Sequence, residues 1–308
     1  MAGQTLNAPL ASKVPRKRSK ASNRYRLAPL ILISANLVLF GLFFAWPGAI
    51  GFIYSFTDYT GIGSPDFIGL QNYTELMGDP TFYQSLVRTM LYTVMAVPLA
   101  YVLSLAIASL LVSRYAAGKG IARIVFFIPW LISPIVTGVI WRWMFGENFG
   151  LVNFLIEAIG GKAVPWQSNA NISLVVVVFA ASWAGTAFNM LLFIAAIKNV
   201  PQAYYEAAEL DGAGSWAKFR NITLPSIAPT SFIVILLTTI GAVKEYAMIQ
   251  ALNNGGPGTE NNLLVQYIYR TGFQNGQIGY ASAASMVLMV LLMAIALLQL
   301  WVNKRKGQ

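Results

Sequence analysis

Thr89-Met-Leu-Tyr-Thr-Val-Met-Ala-Val-Pro-Leu-Ala-Tyr-Val-Leu-Ser-Leu-Ala-Ile-Ala-Ser-Leu-Leu-Val112 contains no charged side chain. A helix of about 20 apolar residues crosses the ~30 Å hydrocarbon core of a bilayer, so this stretch reads as a membrane span. Five more stretches of sufficient length read the same way, at about 27–56, 122–145, 172–196, 226–252 and 281–302. Backbone in lipid must satisfy its own hydrogen bonds, which makes such runs helical. The expected fold class is therefore all-α, a polytopic integral membrane protein with six transmembrane helices. Pro29 and Pro47 lie in the first span, and Pro98, Pro129, Pro134 and Pro229 lie in or beside later ones. Each is a candidate kink.

Composition agrees. Of 308 residues, 56% are hydrophobic and 10% charged, against about 25% charged in soluble domains. The chain has no Cys and no His. Disulfides, thiolate metal sites, zinc hydrolysis, Ser–His or Cys–His catalysis and a His proton relay are excluded by inventory. The net charge of +10 is read as cytoplasmic flanks obeying the positive-inside rule, not as a nucleic-acid surface.

Residues 1–26 carry Lys13, Arg16, Lys17, Arg18, Lys20, Arg24 and Arg26. They are expected to form a flexible cytoplasmic tail ahead of a permease domain over 27–308. The apolar stretch after them is too long for a signal-peptide core, and Ala45-Trp46-Pro47 is no cleavage site. With both termini cytoplasmic, the tail, the loop holding Arg114, Lys119 and Arg123, the loop holding Lys198, Lys218 and Arg220, and the end holding Lys304, Arg305 and Lys306 contain sixteen of the 21 basic residues. Arg88, Arg142, Lys162, Lys244 and Arg270 are the rest. Trp141, Trp143 and Trp301 near span ends suit interfacial anchors or packed core. The outer loops are richer in acids and turn residues, including Gly255-Gly256-Pro257-Gly258.

Most cytoplasmic surface between spans falls at 198–225. Pro201 suits a helix start. Residues 203–210 are good helix formers, with Glu206 and Glu209 in early turns favoured by the helix dipole. Asp211-Gly212-Ala213-Gly214 breaks the helix. Ser215 is placed to cap a second helix, on which Trp216, Phe219 and Ile222 recur at helical spacing, and Pro225 is expected to end it. Two short helices joined by a glycine turn, parallel to the membrane, follow. On the residues alone this is equally well an amphipathic linker.

Glu206-Ala207-Ala208-x-x-Asp211-Gly212-Ala213, followed by Phe219, Ile222, Leu224 and Pro225, resembles the signature loop of binding-protein-dependent ABC importer permeases. Phe67-Ile-Gly-Leu-Gln-Asn-Tyr73, Ile140-Trp-Arg-Trp-Met-Phe145, Gly150-Leu-Val-Asn153 and Gly255-Gly-Pro257 with Tyr267-Ile-Tyr-Arg270 are similar to the carbohydrate-uptake branch. The Gly-Gly-Pro turn resembles maltose-permease-like first subunits. The resemblance implies a type I ABC importer permease fold in a bacterial inner membrane. It also implies a second permease subunit, two ATP-binding subunits and an extracytoplasmic solute-binding protein as partners. ATP and Mg would be bound by those partners, since this chain has no G-x-x-x-x-G-K-[ST] phosphate loop, no cofactor of its own and no expected enzymatic activity.

The resemblance further implies that the loop inserts into the ATPase. Glu206 would offer a charge, Gly212 the turn and close approach, and Trp216 and Phe219 the packing; for Trp216, plain packing within this chain is an equal reading. A substrate path through Trp183, Gly185, Phe188, Thr238, Lys244 and Glu245 is implied in the same way, beside Ala184, Gly241 and Ala242. Aromatic faces stack on sugar rings while polar groups take their hydroxyls. Where maltose permeases present asparagines, this chain has Ala181, Ala242 and Glu245. Charges within spans line cavities or find partners. Lys244 and Glu245, pointing about 100° apart on a helix, are thus read either as paired with another helix or subunit, or, for Glu245, as a contact to solute hydroxyls. The expected cargo is a di- or oligosaccharide. Glycerol phosphate or another polyol is the alternative, and an ion-driven secondary transporter the more distant one, for which Glu245 is the sole intramembrane acid.

Overall fold

The computed structural model describes residues 27–113 and 118–306, whose regular structure is helical, with loops between the helices and one isolated bridge between Thr57 and Phe67. The tail at 1–26 and Arg114 lie outside the described residues. The chain divides at Gly51 into two compact units. In the first, α1 (Leu27–Phe40) runs through a π-turn (Gly41–Ala45) into α2 (Trp46–Tyr54), whose last residues lie beyond the division. Pro47, at the start of α2, needs no helical partner for its missing N–H, so the axis passes it.

The second unit holds α3 (Gln71–Gly78), α4 (Pro80–Val112), α5 (Lys119–Leu131), α6 (Pro134–Met144), α7 (Leu151–Ala158) and α8 (Ala170–Lys198). After these come α9 (Gln202–Leu210), α10 (Ser215–Lys218), a π-turn (Phe219–Thr223), α11 (Leu224–Ser226), α12 (Ala228–Val243), α13 (Ala247–Leu252), α14 (Leu264–Tyr269), a second π-turn (Arg270–Gln274) and α15 (Ile278–Lys306). Among the described residues, four helical stretches are long and apolar enough to cross a membrane, with α4, α8 and α15 among them, or up to six if each of two bent pairs is one span.

Two of the expected spans are bent pairs, at two of the prolines named as candidate kinks. The third breaks at Ile132 and Ser133, where α5 and α6 meet at 99°. Ile132 is extended, Ser133 is driven out of the helical region because it precedes proline, and Pro134 then opens α6. The fifth bends by 69° at Ile227. Pro229 cannot donate a hydrogen bond to Pro225 four residues earlier, so the helix restarts there. This span also ends at Val243, short of the expected 252, and α13 is a separate short helix. Lys244 and Glu245 therefore sit in the break between two helices, not about 100° apart on one. The second span starts at Pro80, earlier than expected, with the Asp79 side chain accepting from Thr81 N as its cap. Pro98 stays inside a continuous α4.

α4 and α8 lie along each other, with α12 against α4 and α5 against α8. Their buried residues form a middle cluster around Tyr92, Leu174, Val177, Ala180 and Ile249, and a second cluster at one end around Leu105, Met190, Phe193 and Ile227. A third cluster, of Leu76, Phe82, Leu264, Tyr267 and Ala284, closes the opposite end. Small residues let helices approach. At Gly138 of α6, a Cβ would lie 2.6 Å from Met248 O and 2.8 Å from Ala251 Cβ of α13. Polar links tie helices within the bundle, Asn189 Nδ2 to Thr238 Oγ1 at 3.1 Å and Gln299 Nε2 to Thr239 Oγ1 at 3.0 Å. Trp141 packs on the middle cluster, stacked at 5.3 Å on Phe145, so it is core, whereas Trp143 and Trp301 are exposed. In the first turn of α3, Asn72 Nδ2 donates to Ser55 O and Thr57 O, so the end of the 67–73 stretch clamps the chain that follows α2.

Candidate functional site

A cavity of about 500 Å³ opens between α4, the α5–α6 break, α8, α12 and α13. The α5–α6 break lends it Pro129, Trp130, Ile132 and Pro134, side chains that a straight helix would point around its whole circumference. Trp130 stacks on Phe188 of α8 with ring centroids 4.9 Å apart and planes 23° off parallel. Gly185, Phe188, Thr238 and Glu245, named from sequence, line the cavity together, with Ala181, Ala184, Gly241 and Ala242. Trp183 and Lys244 are not among its lining residues. Trp183 leans on Trp141 at 6.1 Å, and Lys244 is exposed. Sequence reasoning missed Tyr92, Trp130, Thr137, Ser182 and Asn189. Their signal was a polar or aromatic residue inside an apolar span, which many structural residues share.

Glu245 is the acidic residue of this wall. Its carboxylate accepts from Met248 N at 2.9 Å, capping α13. No Lys or Arg is among the lining residues. The surface is otherwise apolar and aromatic with a few hydroxyl and amide groups, the make-up that holds a ring face and fixes its edges by hydrogen bonds.

At the end of α8 lies the expected pair of short helices. Glycine decides the geometry. Gly212, with φ +75°, sits just past the end of α9; Gly212 N donates to Glu209 O at 3.1 Å and Ala213 N to Ala208 O at 2.8 Å. This is the paired closure that needs a left-handed residue at its corner. A Cβ on Gly212 would meet no atom of this chain, so the turn faces open space. Lys218 Nζ lies 2.7 Å from Glu209 Oε1 across the turn. Tyr205 and Thr223 hydroxyls meet at 2.9 Å, and Tyr205, Phe219, Ile222 and Leu224 pack on the end cluster.

Three local expectations are corrected. Gly214, not Ser215, precedes the second helix, and no side chain caps it. Pro225 does not end that helix, which widens into the π-turn and continues to Ser226. Pro201 flanks α9 instead of opening it, and Gln202 is the first helical residue. The outward side of the pair bears Glu206, Ala207, Asp211 and Gly212 with Tyr204, Leu210 and Trp216. Leu210 is 91% and Trp216 70% exposed, Trp216 stacking on Phe219 at 5.6 Å. Trp216 is therefore no core residue of this chain.

At the other end of the bundle, a polar pocket of about 530 Å³ is lined by Glu75, Asp79, Arg270 and Tyr280 among others. Burial raises the Asp79 carboxyl, but hydrogen bonds from Tyr267 Oη and the Thr81 and Phe82 backbone outweigh it and hold it below the ordinary range. Burial and the same bond push the Tyr267 phenol far up.

Residues 76–308 match the family model described as binding-protein-dependent transport system inner membrane component. The sn-glycerol-3-phosphate transport system permease protein UgpA of Agrobacterium fabrum is 30% identical over 91% of this chain and 96% of that protein. The arabinooligosaccharides transport system permease protein AraP of Bacillus subtilis is 34% identical over 89% of this chain and 88% of that one. A probable starch degradation products permease, AmyD of Thermoanaerobacterium thermosulfurigenes, is 30% identical over 91% and 93%. In structure, a chain of a bacterial ABC transporter that imports the acidic polysaccharide alginate superposes with a TM-score of 0.79 at 23% identity, over 94% of this chain and 99% of that one. That likeness bears on the fold, which is that of type I ABC importer permeases. Up to six spans with two bends, a glycine-turn helix pair after α8 and the family match agree, and the chain belongs to the binding-protein-dependent transport system inner membrane components, the membrane-spanning permeases of ABC importers.

Proposed function

We propose that this chain is one of a pair of permease subunits that pass a di- or oligosaccharide through the 500 Å³ cavity, driven by two separate ATP-binding subunits seated on the 198–226 helix pair. The observation that carries the coupling role is the outward face of that pair. Apolar Leu210 and Trp216 stand exposed beside Glu206 and Asp211, around a turn with space in front of it. Hydrophobic anchors ringed by charge are the usual make-up of a protein contact. An extracytoplasmic binding protein would deliver the solute at the opposite end, ATP and Mg would stay in the partners, and both termini would be cytoplasmic with 1–26 as a tail.

The sugar reading is supported by the stacked Trp130 and Phe188 beside the hydroxyls of Thr238 and Ser182 and the amide of Asn189. Its size lies in the range of small-molecule sites, about 300–1,000 Å³. The relatives named for arabinooligosaccharides and starch products point the same way. Glycerol phosphate is the second reading, favoured by the likeness to UgpA. A phosphate wants Arg or helix N-termini, and this wall instead carries Glu245 and no cation. The test is uptake into vesicles holding the chain with its partner subunits and binding protein. ATP-dependent accumulation of a labelled oligosaccharide, with none of sn-glycerol 3-phosphate, is expected. Accumulation without ATP would overturn the coupling reading, and the reverse solute preference would overturn the sugar reading.

A further inference from the structure

The segment between the third and fourth spans contains one helix, α7, too short to cross a bilayer. It is built with an unusual distribution of polarity. Asn153 is buried, and all of its amide is used inward. Asn153 Nδ2 donates to Glu147 O at 2.9 Å and Val164 O at 3.1 Å, while Oδ1 accepts from Val164 N at 3.1 Å and Trp166 Nε1 at 2.7 Å. Glu147 Oε1 accepts from the backbone of Gln167 and Ser168, and Gln167 Nε2 donates to Arg142 O at 2.9 Å. The polar groups thus form a knot that fixes the segment to the end of α6.

The opposite face is Leu151, Phe154, Leu155 and Ala158, at helical spacing and all exposed. Phe149 and Ile159 flank it, 92% and 86% exposed. An aqueous loop would show the reverse, with polar residues out and apolar residues against the knot. The helix that α7 follows exposes apolar residues as well. α6 belongs to a bent membrane-spanning pair, and its exposed Val136, Val139, Ile140 and Trp143 lead up to α7. A helix with one apolar face at the end of a span sits in the headgroup boundary, and an exposed Trp at that level suits the interface.

We propose that α7 lies in the lipid interface on the side opposite the 198–226 helices, its Leu151, Phe154, Leu155 and Ala158 face inserted among acyl chains. The knot of Asn153, Glu147 and Gln167 transmits that anchoring to the end of α6. This rests on the membrane-spanning fold and not on the cargo or the coupling partner.

The chain has no cysteine, so single-cysteine variants can be spin-labelled at one place. Phe154→Cys and Ile159→Cys would be compared with Ile62→Cys, an 89% exposed position in the 57–66 loop. The chain would be in lipid vesicles, assembled with its partner subunits. Labels at 154 and 159 should collide with dissolved oxygen several-fold more than with a water-soluble nickel chelate, and the label at 62 should show the opposite order. A Phe154→Trp variant should gain fluorescence that lipids brominated near the headgroup quench. Chelate-dominated collisions at 154 would overturn the proposal in favour of an aqueous loop. Labels shielded from both reagents, with no lipid quenching, would overturn it in favour of a protein partner.

Discussion

The cavity and the 198–226 helix pair are opposite constructions. In the cavity a single acid, Glu245, is turned inward among apolar and aromatic walls, and its carboxylate caps α13. In the helix pair, apolar Leu210 and Trp216 are turned outward among charges, and the frame is held by backbone closure at Gly212. One region shelters a polar group from lipid, and the other leaves hydrophobic surface unsheltered. The first arrangement suits a small molecule coming in, the second a protein coming onto it. The cavity depends on where distant helices meet. The turn of the helix pair is closed by hydrogen bonds between near neighbours in the chain.

The hardest blow to the helix pair is Gly212→Pro. Proline is fixed near φ −65° and lacks the N–H that donates to Glu209 O, whereas the site needs φ +75°. Uptake in vesicles should fall to background, with membrane insertion and solute binding by the external protein unchanged; normal uptake would remove the coupling role. Glu206→Lys should act in the same direction through charge alone.

On the cavity side, Gly138→Leu should destabilise the bundle by about 1–3 kcal/mol or more, since overpacking at a helix crossing forces backbones apart. Thermal unfolding of the purified chain in detergent would report it. An unchanged transition would mean that α6 and α13 do not cross closely there. Glu245→Gln keeps a hydrogen-bond acceptor for Met248 N but removes the charge. Competition by different sugars in uptake should change its order of preference, and an unchanged order would limit Glu245 to capping α13.

Tyr205→Phe removes one hydroxyl bond between the two short helices. A loss of about 1 kcal/mol is expected, with partial loss of ATP-driven uptake, because the Gly212 closure remains. At the far end, Tyr267→Phe takes a hydrogen bond from Asp79. The folded carboxyl sits below its ordinary 3.8, so its stabilising contribution is present above that value and is lost as pH falls through the folded value. The gap in unfolding temperature between the parent and Tyr267→Phe should therefore be widest near neutral pH and narrow below pH 3.8. A gap independent of pH would show that Tyr267 acts by packing.

Lengths and hydropathy located the spans because hydrocarbon imposes one requirement on every residue in turn, and the Glu206–Ala213 turn was legible because each step of it uses neighbours within five residues. The bends were not. Proline at 134 and 229 signals a kink, but its angle depends on what the two halves pack against, as Pro98 shows by leaving α4 continuous. The end of α12 was missed because Lys244 and Glu245 look like any charged pair on a helix until α13 is seen crossing α6 at Gly138. Gly185, Phe188, Thr238 and Glu245 could be named from the chain, yet their meeting with Tyr92 and Trp130 around one cavity required helices far apart in sequence. The chain by itself determined the membrane class, the number of spans and the glycine-turn helix pair, since burial in lipid and short-range hydrogen bonding act along the sequence. Tertiary structure alone decided the cavity, the broken spans and the outward apolar face of α7, because those follow from which surfaces the packed helices leave uncovered.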